Sequence, residues 1–174
     1  SCFLILSAAT TAGRKSATAA AITLITAGAA QAQAVRTERT LTLQLAQQLA
    51  TDTVAACTAL GHNVTAAVVD RSGQLRALQR ADNAGPHTVG AAQAKAFTSA
   101  SAKAPTTAML ENVQKNPGAA TLVDIPGFLI LGGGVPVKAG NEVIGAVGVG
   151  GAPGGHLDEA CANAGIAKVA DLLK

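Results

Sequence analysis

The chain has 174 residues and a mass of 17.0 kDa, 49% of it hydrophobic and 13% charged, with three Phe and neither Trp nor Tyr. That is enough chain for one domain whose core is built from Ala, Val, Leu and Ile, and it excludes disorder and base-stacking nucleic-acid modules, which need aromatic platforms. The formal charge of +3 leaves no footprint for DNA or anionic lipid: without Arg14 and Lys15, the remaining 11 basic residues face 10 acidic ones.

Residues 1–34 read as a secretory leader. Arg14-Lys15 is a cationic stretch, 17–30 is apolar around Ile22, Leu24 and Ile25, and Ala30-Gln31-Ala32 or Ala32-Gln33-Ala34 offers small residues at a cleavage site. The apolar run is shorter than the roughly 20 residues of a membrane span, so no membrane insertion is expected. The mature domain is taken as 35–174, periplasmic or secreted. Its two cysteines, Cys57 and Cys161, are then a candidate disulfide, with two buried free thiols as the other reading.

The expected elements follow in chain order. Apolar residues at Leu41, Leu45, Leu49, Val54 and Leu60 approximate a helix over 41–60, closed by Gly61. Residues 64–69 and 74–80 read as a hairpin about the turn Asp70-Arg71-Ser72-Gly73. Pro86 opens an alanine-rich helix to about 104, Pro105 separates it from a second helix over 106–115, and 118–127 has no period and reads as a loop. Three strands are then expected at 128–131, 135–138 and 142–149, before a closing helix over 156–173 with Asp158 and Glu159 in its favourable first turn. This order predicts an α+β fold with a mainly antiparallel five-stranded sheet covered on both faces by helices.

Motifs for metal or phosphate are missing from the sequence. Gly132-Gly133-Gly134 has no Lys-Ser/Thr or helix after it, so it allows close backbone approach, either of the chain to itself or of a flat ligand. His62, His87 and His156 lie far apart, and no serine or cysteine carries a recognisable base beside it.

Seven segments in one order resemble the GlcG/HbpS haem-degrading domain family: Val68-Val69-Asp70-Arg71-Ser72-Gly73, Arg80-Ala81-Asp82-Asn83-Ala84-Gly85-Pro86, Lys95-Ala96-Phe97-Thr98, Ala104-Pro105-Thr106, Asp124-Ile125-Pro126-Gly127, Gly132-Gly133-Gly134-Val135-Pro136 and Gly145-Ala146-Val147-Gly148-Val149. The likeness covers nearly all of 41–174 and is greatest to the secreted haem-binding branch. It implies a profilin-like three-layer α/β/α sandwich, homo-oligomers that are often octamers, haem as cofactor, slow haem breakdown in some members, and redox sensing with a membrane sensor kinase in others. Such an arrangement can place Cys57 and Cys161 on one face, which predicts a bridge between the first and last helices.

Two departures from the branch bear on the site. A Thr associated with haem iron follows its Ile-Pro-Gly turn, where this chain has Phe128, a ring that can wall a porphyrin but not ligate iron. A Glu-x-x-Glu iron motif is replaced by Gly90 and Gln93. The expected haem site is therefore His87 as metal ligand, Phe128 as wall, Lys95 and Arg80 meeting propionates, and the glycines Gly132, Gly133 and Gly134 beside the macrocycle. The other functional readings left open are a small-organic-acid-binding protein or enzyme of the GlcG type, and a haem-free oligomer that binds a protein partner. The leader makes its own prediction: N-terminal sequencing of the protein from its native compartment finds a start at Gln33 or Val35, and an intact Ser1 there overturns it.

Overall fold

In the computed structural model, residues 34–174 are described; the leader assigned to 1–34 lies outside them except for Ala34. The unit Thr37–Lys174 contains α1 (Leu43–Ala59), β1 (Thr65–Asp70), β2 (Leu75–Arg80), α2 (His87–Ala102), α3 (Thr106–Lys115), β3 (Gly134–Ala139), β4 (Glu142–Gly150) and α4 (Gly155–Lys168). The strands form one antiparallel sheet in the order β2-β1-β4-β3. Helices α1 and α4 pack on one face and α2 on the other. No helix among the described residues is long and apolar enough to cross a membrane.

The sequence dictates these elements locally. Thr42 caps α1 by accepting from the Leu45 N–H at 3.2 Å, so the helix starts two residues later than its apolar pattern. Asp70 Oδ1 accepts from the N–H groups of Ser72 and Gln74 at 2.9 and 3.0 Å, which folds the hairpin turn between β1 and β2. Thr65 sits opposite both Arg80 and Gly150, which makes β1 a central strand. Along β4, Val147 and Val149 join the α1/α4 core while Ala146 and Gly148 face α2. A Cβ on Gly148 would lie 2.1 Å from the Ala92 carbonyl oxygen, so the α2 backbone rests directly on this strand.

The sheet has four strands, which corrects the expected five. Residues 128–131 do not join it: the Phe128 N–H donates to Ile125 O at 3.0 Å, the Leu129 N–H to Thr98 Oγ1 at 2.8 Å, and the Leu131 N–H to Leu129 O at 3.0 Å. Donors that a ladder would use are thus taken by a local turn and by α2. The expected loop over 118–127 is largely a 3₁₀ segment, Pro117–Asp124, and the closing helix breaks at Val169 into α4 and a 3₁₀ turn, Ala170–Leu173.

Two long-range links fasten the helices, one within a layer and one across the sheet. Cys57 in α1 and Cys161 in α4 form a disulfide with Cα atoms 5.3 Å apart. One turn along both helices, Gly165 leaves the space that Thr53 Oγ1 occupies, 2.1 Å from where a Cβ would stand. On the opposite face, Lys95 of α2 reaches past the sheet. Its Nζ donates to Val149 O at 2.9 Å and Asp158 Oδ2 at 2.8 Å, with only 2% of Lys95 and 3% of Asp158 exposed. Asp158 Oδ1 accepts from the Ala152 N–H at 3.0 Å.

The bridge closes a loop of 104 residues, so a Cys57→Ala/Cys161→Ala protein should lose about 2–5 kcal/mol in chemical denaturation. An unchanged midpoint would remove its structural importance. Lys95→Met or Asp158→Asn alone leaves one buried charge without its partner and should cost about 3–5 kcal/mol, whereas Lys95→Met/Asp158→Leu should recover most of that loss. Single variants within experimental error of the parent in the same measurement would overturn this.

Candidate functional site

Helix α2 carries the site. Pro86 precedes it with φ −62°, a value suited to helix entry, and Thr88 fastens its first turn by bonding Gly85 O at 2.6 Å and sharing a 2.7 Å hydrogen bond with Thr65 of β1. His87 is the first helical residue and is exposed. Its ring lies over Gly85, where a Cβ would stand 2.8 Å from the imidazole Cε1.

Two cavities border α2. An open one of about 310 Å³ is lined by Gly73, Gly90, Gln93, Ala94, Phe97, Pro126 and Gly127, with no charged side chain. Phe97 meets Phe128 edge to face there, with ring centroids 6.1 Å apart and planes at 73°. His87 and Phe97 stand ten residues apart, about 15 Å along the axis. The Phe97 ring packs toward Gly73 and Gly127, where Cβ atoms would stand 2.6 and 3.3 Å from it, and nothing lies within 4 Å of a Cβ on Gly90. Gly90 and Ala94 leave the outer face of α2 open between His87 at its start and the two aromatic rings further along.

The second cavity, about 260 Å³, lies between α2 and the loop from β4 to α4. His87, Ala91, Lys95, Leu131 and Asp158 line it together with the backbone of 150–155. The structure thus brings His87 and Lys95 to one cavity and places Phe128 beside the other. Lys95 is buried and ion-paired instead of standing at the surface as a free cation. Arg80, exposed at the end of β2, binds the Ala84 carbonyl through both Nε, at 2.9 Å, and Nη2, which holds it on the loop that leads into His87.

Gly132, Gly133 and Gly134 are buried, and the chain itself fills the space beside them. Cβ atoms there would come within 3.0 Å of Thr107 Oγ1, of Asp158 Cβ and Val149 O, and of Lys95 O and Thr106 Cγ2 respectively. Of the two openings that close backbone approach allowed, the structure shows the self-packing one.

Sequence reasoning missed Phe97 and Asp158 as site residues. Phe97 continues the spacing His87, Gly90, Ala94 on one helical face, a signal that was available. Asp158 had no local signal, since its partner lies 63 residues away. Among the described residues no three His, Cys, Asp or Glu side chains gather as a metal site. An exposed imidazole such as that of His87 is a nitrogen donor of the kind a haem iron takes.

Residues 41–167 match the family described as haem degrading protein HbpS-like. A crystal structure of a double mutant of HbpS from Streptomyces reticuli shares 41% identity and a TM-score of 0.74, covering 81% of this chain and 94% of that one. The Klebsiella pneumoniae protein ORFY gives 30% identity and a TM-score of 0.74 over 78% of this chain and 94% of its own. Protein GlcG of Escherichia coli K12 is 40% identical over 87 residues, which is 50% of this chain and 63% of GlcG, so the match spans less than two thirds of that relative. With the match running from the residue before the α1 cap to the end of α4, the chain belongs to the HbpS-like haem-degrading family.

Proposed function

We propose that this protein binds haem along the outer face of α2 and acts outside the cytoplasm. The observation that carries the reading is the cavity on α2 that Gly90, Gln93, Ala94 and Phe97 line with no charged side chain, with Phe128 packed edge to face on Phe97, in a chain of a haem-degrading family. A cavity of about 310 Å³ takes one edge of a macrocycle and leaves the remainder to solvent. Gly90 and Ala94 let the porphyrin lie close to the helix, and Phe97 and Phe128 wall its far edge through apolar contact. His87, the exposed imidazole at the start of α2, would supply a ring nitrogen to the iron. Arg80 would be the cation that meets a propionate, because the Lys95 ammonium is held by Asp158. Redox chemistry, where haem is broken down, comes from the bound iron and oxygen, while these residues bind and orient.

Titration of the haem-free protein with hemin should shift the Soret band and saturate. His87→Ala should change the ligand-field bands and weaken binding at least about tenfold, or 1.4 kcal/mol. Phe97→Ala should weaken binding with the bands unchanged, and His62→Ala and His156→Ala should leave both readouts at the parental values. No Soret shift in the parent defeats haem binding; an unaltered His87→Ala spectrum and affinity defeats the ligation assignment.

A further inference from the structure

Thr98 is buried and lines neither cavity of α2, and we propose that its hydroxyl is the positioning group that holds the Phe97–Phe128 wall in place. The consequence for a ligand rests on the haem reading; the geometry stands without it. Thr98 Oγ1 donates to Ala94 O at 2.8 Å, one helical turn back. A hydroxyl has a single proton, so with that proton committed the oxygen meets the next group as an acceptor. The Leu129 N–H donates to it at 2.8 Å. Thr98 follows Phe97 and Leu129 follows Phe128, so this one hydrogen bond joins the two backbone segments that carry the rings.

Residues 125–128 make a stiff turn. The Phe128 N–H donates to Ile125 O at 3.0 Å, Pro126 restricts the second position, and Gly127 has φ +85° at the third, the left-handed value of a type II turn. Pro126 and Gly127 line the cavity together with Gly90, Gln93, Ala94 and Phe97 of α2. A Cβ on Gly127 would stand 3.3 Å from Phe97 Cε1 and one on Gly73 2.6 Å from Cδ2, so the ring lies between this turn and that of the β1–β2 hairpin. Among the described residues, the bond from Leu129 to Thr98 is the only hydrogen bond between 125–131 and α2. A turn that is stiff within itself moves as a unit, and its distance from the helix is set where it is fastened.

Thr98→Val keeps the shape of the side chain and removes the acceptor. The Ala94 carbonyl loses little, because it still accepts within the helix. The Leu129 N–H has no such reserve, and a backbone donor left without a partner seeks water. Leu129 is half-buried, so water lies within reach if 125–129 shifts outward. That shift takes Phe128 off the edge of Phe97 and widens the cavity on the side where a flat ligand would rest.

The test joins amide exchange and ring resonances of the haem-free protein to hemin titration, for the parent, Thr98→Val and Thr98→Ser. In the parent the Leu129 amide should exchange slowly, and the Phe97 and Phe128 ring protons should show mutual contacts. Thr98→Val should lose both signals while the amides of β1 and β4 keep their protection. Its hemin affinity should fall roughly threefold to tenfold, the worth of one aromatic pair, with the ligand-field bands unchanged. Thr98→Ser retains the hydroxyl and should restore all three readouts. A rapidly exchanging Leu129 amide in the parent needs no variant to overturn the proposal. So would intact ring contacts or parental hemin affinity in Thr98→Val, a loss of protection there that spreads to β1 and β4, or a Thr98→Ser protein that behaves as Thr98→Val. A parent that gives no Soret shift defeats the haem reading instead, and the exchange and ring readouts then decide the role of Thr98 by themselves.

Discussion

The Lys95–Asp158 ion pair is the constraint around which the α2 side of the domain is arranged. Moving two charges out of water costs several kcal/mol per ion, and attraction repays this only when geometry and further hydrogen bonds are good. Here the ammonium has the Val149 carbonyl as well as Asp158, and Asp158 has the Ala152 N–H. The pair therefore joins α2, the end of β4, the following loop and the first turn of α4 at one point. Gly133 has φ +121° and faces Asp158 Cβ and Val149 O, each 2.7 Å from a Cβ position, so a side chain there would disrupt the backbone setting as well as the pair. Gly132 packs against Gly155 for the same reason of space. Of the triple glycine, Gly133 is thus the one that the ion pair's burial requires, while Gly134 makes room for the α2 backbone at Lys95 O.

Much of the fold was legible because its signals are local. Pro86, Pro105, Gly61 and the Asp70 turn mark boundaries through fixed φ, lost donors or short-range hydrogen bonds, and the structure places element ends beside each of them. Residues 128–131 were misread because a short apolar run looks the same whether it joins a sheet or not. What decides the matter is the Leu129 N–H bonding to Thr98, 31 residues earlier in sequence. The 3₁₀ segment Pro117–Asp124 escaped for a related reason, since its short-range bonds create no 3.6-residue apolar period.

The candidate site divides along the same line. His87 was readable from Pro86, which predicts an exposed first turn. Lys95 was read as a surface cation because lysine is seldom buried, and nothing near it in sequence announces a buried acid. Asp158 was assigned to the helix dipole, a correct local argument that omits the dominant tertiary contact. The cysteines were readable as a pair only through compartment and count, since a separation of 104 residues gives no geometric clue.

Helix α2 is a shared wall of two cavities, and His87 lines the one toward the loop from β4 to α4. An imidazole has two nitrogens, and the strength of one as a metal donor depends on the hydrogen bond made by the other. On the haem proposal, one nitrogen would meet the iron and the other would be left to solvent or to the groups of the cavity between α2 and the loop from β4 to α4. A ligand that accepts from that second nitrogen would fix the imidazole tautomer and increase its basicity toward iron. A cavity left to solvent would leave the ring orientation set by packing over Gly85 alone. Gly90 and Ala94, between His87 and Phe97, complete the logic: they leave the outer face of the helix open, so a flat macrocycle would come close to the backbone there.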